Sequence, residues 1–386
     1  MTFLPYLAVI PYLGPLVLLG ILAKRKPDLK DFPPRTGRRL SVIIPARNEE
    51  EVIERCVRSI LASTYDPLEI LVVDDRSTDS TAQIVERLAR EDPRVKLIRG
   101  EPLPDGWYGK PWACVQGFRA ATGELLCFTD ADTIHAPALL AHSVGALEAT
   151  GAGLFTVMPT QLMLTAAERL VLPQIAYILI ARYHPARVNS ATAARDVIAN
   201  GQYILMPRAA YERVGTHERV KHEVAEDLAL AQESVRAGEK LVMAWALDLM
   251  QTRMYTDWAH LREGWSKNLY LGAKRGLADH PWLQPFIPAL LVLPFLFWML
   301  APVLVLLALC GVTTIFTGPA IAATIVSFLF WCLFTAAMGI SWVWGLAYPV
   351  GAAAGAYLAL RSILRGARKV EWKGRTYGAG GPTKGS

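Results

Sequence analysis

Apolar and polar positions divide the chain into three stretches. Residues 3–23 run without a charge and are closed by Lys24, Arg25 and Lys26; residues 281–360 contain no Asp, Glu, Lys or Arg; between them, apolar residues come in short bursts separated by polar turns. The first stretch has the ~20-residue length of a membrane-spanning helix. Its basic flank follows the apolar run, the reverse of a cleaved signal peptide, so residues 1–25 are expected to form an anchor with the amino end outside. The last stretch, 281–361, has room for two or three segments, with breaks expected near 311–318 and 339–342. The tail, 362–386, with Arg361 just before it, carries Arg365, Arg368, Lys369, Lys373, Arg375 and Lys384 against the one acid Glu371, which places it in the cytoplasm. Three full passes would leave it outside. Two passes and one re-entrant segment reconcile the signals, and Pro285, Pro288, Pro294 and Pro302 make the first stretch the expected broken one, because proline removes a donor that lipid cannot replace.

Residues 38–280 read as one water-soluble domain of α/β class. Leu40 to Ile44, Glu69 to Val73, Val95 to Ile98 and Leu125 to Phe128 are short β-branched or apolar runs. Helical spacing follows the first two, with Val52, Ile53, Cys56, Val57 and Ile60 on one face and Ile84, Val85 and Leu88 on another. This alternation predicts a mostly parallel sheet covered on both faces. Such sheets bind ligands at the carboxyl ends of their strands, and the polar clusters fall there: Pro45 to Glu49, Asp74-Asp75, and Asp130-Ala131-Asp132.

Composition supports the membrane reading, since 53% of residues are hydrophobic and only 19% charged. The net charge of +6 comes largely from residues flanking the apolar segments, which points to anionic lipid headgroups and not to nucleic acid. Cys56, Cys114, Cys127, Cys310 and Cys332 have no C-x-x-C spacing and read as buried small hydrophobes, giving neither a zinc site nor a disulfide framework.

No glycine-rich phosphate loop is present. Carboxylates at the strand ends would repel a bare phosphate, but with a hard divalent cation between them they become a diphosphate site. A D-x-D alone is equally a solvated turn, and Glu226-Asp227 alone equally an acidic helix start; the ordered set of motifs is what distinguishes them.

The segments SVIIPARNEE, ILVVDDRSTDST, GWYGKPWACVQG, LLCFTDADT, ANGQYILMPRAAYERVG and VAEDLALA, ending in WSKN before the apolar region, resemble the membrane-bound inverting family 2 glycosyltransferases. The resemblance is to the branch with ceramide glucosyltransferases and bacterial carotenoid and hopanoid-associated enzymes. It implies a GT-A nucleotide-sugar-binding domain and a UDP-sugar donor. Pro45, Ala46 and Glu49 would line the nucleotide pocket, Asp74 or Asp75 would bind uracil, Lys110 would lie near the pyrophosphate, and Asp130 would face the ribose and donor sugar. Asp132, with Asp130, would hold Mg²⁺ or Mn²⁺; Asp227, beside Glu226, would be the general base, taking the proton of an acceptor hydroxyl. Asn200, Gly201 and Gln202, with Arg262 and Trp265, fall in the acceptor or donor-sugar region.

One position departs from the pattern. Relatives carry arginine beside the tryptophan of Q/R-x-x-R-W; here Gly264 precedes Trp265, and Arg262 lies about one turn away. Residues 161–184 are apolar but interrupted by Glu168, Arg169, Pro173 and Arg182, the pattern of an interfacial helix on the acceptor side or of a buried core helix. Arg182, His184, Arg187 and Arg195 would then sit at headgroup level. The expectation is a multi-pass protein of the bacterial inner membrane, its catalytic domain cytoplasmic, glycosylating a lipid hydroxyl. The alternatives are transfer to polyprenyl phosphate and a non-catalytic nucleotide-binding membrane protein.

Overall fold

The computed structural model describes residues 4–24, 27–312, 316–366, 370–372, 375–378 and 381–382. Arg25, Lys26, Arg368, Lys369, Lys373 and Lys384, named above for their charge, lie outside the described residues. Ten strands precede the C-terminal helices: β1 Leu40–Ala46, β2 Leu68–Asp74, β3 Val95–Arg99, β4 Leu125–Thr129, β5 Thr133–His135, β6 Leu154–Met158, β7 Thr160–Gln161, β8 Tyr203–Pro207, β9 Leu241–Trp245 and β10 Met250–Thr252. The helices are α1 Ile10–Lys24, α2 Ile53–Leu61, α3 Thr81–Glu91, α4 Gly109–Ala120, α5 Leu139–Thr150, α6 Ala166–Tyr183, α7 Pro185–Val188, α8 Arg208–Val214, α9 Glu226–Arg236, α10 Trp258–Gly276, α11 Ile287–Leu309, α12 Thr317–Ala337 and α13 Tyr348–Arg365.

Seven strands form the main sheet in the order β3-β2-β1-β4-β8-β6-β9, and β5, β10 and β7 form a small second sheet. β1 pairs in parallel with both β2 and β4, and β6 with β9, but β8 runs antiparallel between β4 and β6. The expected sheet is therefore mostly parallel with one reversed strand. β1 and β2 are apolar almost throughout because both faces are covered. Ile53, Val57, Val85 and Leu88 of α2 and α3, with α5, cover one face; Ala113, Tyr211 and Leu230 of α4, α8 and α9 cover the other.

α6 is a well-capped helix: Thr165 Oγ1 accepts the Glu168 N–H, and Glu168 accepts from Thr165 N–H at 2.6 Å in return. It neither lies free on a surface nor enters the sheet core. Its Tyr177 sits among Trp298, Phe330, Trp331 and Phe334 of α11 and α12, with ring centroids 5.3–6.0 Å away. α13 crosses both α6 and α10, and glycine permits the close approach, because a Cβ on Gly351 would run into the Leu170 carbonyl.

Among the described residues, three segments are long and apolar enough to cross a membrane: Pro281–Leu309, Thr317–Ala337 and Trp342–Arg365. The N-terminal apolar helical stretch, Leu4–Gly20, is shorter. The breaks expected near 311–318 and 339–342 are present. The expected break in the first stretch is not: α11 continues through Pro294 and Pro302. Irregular 3₁₀ turns precede both this helix, at Pro281–Phe286, and α13, at Trp342–Ala347. Cys56, Cys114 and Cys127 are buried as expected, whereas Cys310, just past the end of α11, is exposed.

Candidate active site

Because β1 lies between β2 and β4, their carboxyl ends set Pro45 and Ala46 beside Asp74 and Asp75 on one side and Asp130 and Asp132 on the other. The loops after β1 and β2 hold each other. Ser77 Oγ accepts the Asn48 N–H at 3.0 Å, Asn48 Oδ1 accepts the Thr78 N–H at 2.8 Å, and Thr81 Oγ1 accepts the Glu49 N–H at 2.8 Å. Asn48 and Arg76 both adopt left-handed backbone, at φ 53° and 56°, so two strained residues flank this edge. Gly100 follows β3, and a Cβ there would stand 2.7 Å from the Asp74 carbonyl oxygen, so a larger residue would displace the loop carrying Asp74 and Asp75.

Lys110, in the first turn of α4, joins the two halves of the site. Its ammonium lies 2.7 Å from Asp130 Oδ1 and 2.8 Å from Glu226 Oε1. The turn Asn200-Gly201-Gln202 bridges the same groups from the other side. Thr129 Oγ1 donates to the Gln202 carbonyl at 2.8 Å, and Asp227 Oδ2 accepts the Gly201 N–H at 2.9 Å. Asp227 Oδ1 accepts the Leu228 N–H at 2.7 Å, so both oxygens are oriented by backbone at the start of α9. Burial and then the neighbouring Glu226 push the Asp227 carboxyl up to about 6. Burial also works to raise Glu226, but Lys110 outweighs it and holds that carboxyl below its ordinary range. The same carboxylates keep the enclosed Lys110 charged despite its desolvation.

Asp132 Oδ1 is buried with no hydrogen-bond partner, and burial, then Asp130, then Glu49 raise its carboxyl to about 7. A carboxylate so placed lacks a positive charge. Among the described residues no third His, Cys, Asp or Glu completes a cation cage. Mg²⁺ and Mn²⁺ sites commonly use one or two carboxylates and draw their other ligands from water and substrate phosphates, so Asp132 and Asp130 fit such an ion.

Arg262 and Trp265 sit on α10, and Arg262 Nε and Trp265 Nε1 are buried without a hydrogen-bond partner among the described residues. Gly264 is filled from elsewhere: a Cβ there would stand 2.6 Å from the Tyr255 hydroxyl and collide with its ring. Tyr255 packs against Trp265, centroids 6.1 Å apart, and burial, then Asp132, raises its phenol above the ordinary range. The space that an arginine side chain would need is thus taken by an aromatic ring.

The sequence did not single out Tyr255 or His217. His217 lines a small pocket with Lys110, Asp130, Gly201 and Glu226, its Nδ1 2.6 Å from Tyr211 Oη, and burial holds its imidazole down to about 4, hence neutral. Only its adjacency to an aromatic-rich core, formed by residues distant in sequence, marks it, and no spacing rule records that.

Residues 41–163 match Glycosyl transferase family 2. The chain carries a family 2 glycosyl transferase domain. Its 4,4'-diaponeurosporenoate glycosyltransferase relative from Staphylococcus aureus is 27% identical over 242 residues, 61% of either chain, so the match spans about three fifths of that relative's length. A probable glycosyltransferase of Bacillus subtilis, YdaM, is 34% identical over 113 residues, 29% of this chain and 26% of that one. Among solved structures, the mannosyltransferase PcManGT from Pyrobaculum calidifontis, in complex with GDP-Man and Mn²⁺, aligns over 95% of this chain and 98% of its own at a TM-score of 0.58 and 19% identity. At that identity the likeness is one of fold: the glycosyl transferase domain is GT-A-like.

Proposed function

We propose that the protein is an inverting glycosyltransferase that moves a sugar from a UDP-sugar to the hydroxyl of a membrane lipid such as a carotenoid, hopanoid or sphingolipid-like alcohol. The observation that carries this reading is Asp227: a half-buried carboxylate, aimed by two backbone N–H groups and joined through Gly201 and Lys110 to the Asp130 side of the site. Asp227 accepts the proton of the acceptor hydroxyl as that oxygen attacks the anomeric carbon, and Glu226 stays ionised beside Lys110. Asp74 or Asp75 binds the base of the nucleotide at the end of β2. A divalent cation held by Asp132 and Asp130 would offset the charge of the departing diphosphate. In-line attack inverts the anomeric centre.

The lipid acceptor is supported by the apolar cluster that runs from Met163 and Tyr255 through Val171 and Ile175 of α6 to Phe295 of α11 and Ala359 of α13. It runs from Tyr255, on which Asp132 acts, to the membrane-type helices. The Staphylococcus aureus relative, a 4,4'-diaponeurosporenoate glycosyltransferase, agrees with a hydrophobic acceptor.

Mass spectrometry of total lipids from carotenoid-producing and hopanoid-producing hosts expressing the wild type or Asp227→Asn tests this. A lipid heavier by one hexose or N-acetylhexosamine, made by the wild type alone, is the expected result. An equal yield from Asp227→Asn would point to an anionic acceptor such as polyprenyl phosphate, which needs no base. Tight UDP binding with neither transfer nor hydrolysis would replace the enzyme by a nucleotide-binding membrane protein.

A further inference from the structure

An ammonium has three protons to donate and no acceptor capacity. Those of Lys110 face three acceptors: Asp130 Oδ1 at 2.7 Å, Glu226 Oε1 at 2.8 Å and, at the longer distance of 3.4 Å, the Gly201 carbonyl. The three belong to segments far apart in sequence. Asp130 follows β4 among the donor-side carboxylates; Glu226 opens the helix that bears Asp227; Gly201 lies in the turn whose N–H fixes Asp227 Oδ2. The Gly201 peptide is gripped from both sides, its carbonyl facing Lys110 and its N–H bound to Asp227. It has no slack, because a Cβ on Gly201 would already stand 2.9 Å from Asp227 Oδ2.

A phosphate that drew this ammonium away would leave Glu226, largely covered and next to Asp227, without the cation that holds it ionised. We propose that Lys110 is an internal counter-ion that ties the donor-side Asp130 to Gly201 and Glu226 and so positions Asp227, and that it is not a ligand of the donor diphosphate. This deepens, and rests on, the reading of Asp227 as the base.

Phosphate binding and positioning separate cleanly in kinetics. The full chain in detergent is compared as wild type, Lys110→Met, Glu226→Gln and the double variant, measuring kcat and donor KM, UDP affinity by calorimetry with Mn²⁺ present, and melting temperature. A displaced base predicts a kcat lower by about 10²-fold in Lys110→Met, with donor KM and UDP affinity within about threefold of wild type, well short of the tenfold that 1.4 kcal/mol represents. Glu226→Gln is expected to restore part of the melting temperature lost in Lys110→Met, because it neutralises the carboxylate left unpaired. If Lys110→Met does not accumulate, the double variant takes its place in the UDP measurement. UDP affinity weakened about tenfold or more with kcat near wild type would overturn the proposal, as would melting losses that simply add. A wild type that binds UDP but turns over no UDP-sugar would refute the proposed function instead, while UDP affinity and the melting cycle would still decide the role of Lys110.

Discussion

Asp227 combines orientation with a raised pKa, and each has a measurable consequence. A base must be ionised to take a proton, so kcat is expected to fall as pH drops through about 6, the value to which burial and Glu226 bring this carboxyl. The same shift has a stability side: the folded chain holds this proton more tightly than the unfolded one, so its contribution is complete below the ordinary 3.8 and is lost as pH rises through about 6. Asp227→Asn keeps the shape without the basicity and should lower kcat by roughly 10²–10⁴-fold with UDP affinity unchanged; an undiminished kcat would remove Asp227 from the chemistry. Gly264 gives a second residue-level test. Gly264→Arg forces a side chain against Tyr255 and should cost about 1–3 kcal/mol by chemical denaturation. In a Tyr255→Ala background the same arginine should cost less, because the ring that excludes it is gone; equal costs in both backgrounds would mean that Tyr255 is not the obstacle.

Among elements, one acid ties three parts of the sheet. Glu69, in β2, accepts from Ser41 Oγ of β1 at 2.6 Å, from Lys96 Nζ of β3 at 2.8 Å and from the Thr122 N–H ahead of β4 at 2.7 Å. Burial works against the charge, but these donors outweigh it and bring the carboxyl down to about 2. Its stability contribution is therefore present above the ordinary 4.5 and is lost as pH falls from there through about 2. Glu69→Gln should destabilise the domain by about 1–3 kcal/mol at pH 7, with the difference from wild type shrinking on acidification, as urea unfolding at several pH values would reveal. Glu69 also shows what the sequence concealed: inside EILVV it reads only as the start of a strand, since its partners are 27 to 53 residues away. The strands, the carboxylates at their ends and the Glu226-Asp227 pair were legible because strand periodicity and motif order are local. The reversed β8, the reach of Lys110 to residues 130 and 226 and the filling of Gly264 by Tyr255 were not, because each is a through-space relation between segments whose spacing follows no period.

At the scale of the whole molecule, the contacts of α13 bear on which apolar segments would cross a membrane. α11 leaves the catalytic side directly after α10, and its 23 residues span roughly 35 Å, enough to cross; α12, with 21, returns. The segment Trp342–Arg365 has the length of a third crossing, but its path does not advance. Gly345 lies against Trp331 and Cys332, about one and a half turns, or roughly 8 Å, back from the end of α12. The chain then reverses: Tyr348 packs beside Trp298 and Trp331, Gly355 meets Phe295 nearer the start of α11, Ser362 Oγ accepts the Tyr270 N–H of α10 at 2.9 Å, and Arg365 pairs with Glu263 of α10. A segment that enters beside α12 and ends on α10 returns to the side it left. We propose on this ground two crossings and a re-entrant hairpin, with the hairpin at the third apolar segment, Trp342–Arg365. Tyr6 against Gly318 and Tyr12 bonded to the Phe297 carbonyl run the N-terminal helix from the far end of the bundle back toward the catalytic domain. Labelling with a membrane-impermeant maleimide tests this arrangement directly. In intact cells the exposed Cys310, just past the far end of α11, should react, whereas a cysteine introduced as Thr383→Cys in a Cys310→Ser background should react only in inside-out vesicles. Reaction of the tail cysteine in intact cells would make Trp342–Arg365 a full crossing, and the contacts between α13 and α10 would then have to break in the bilayer.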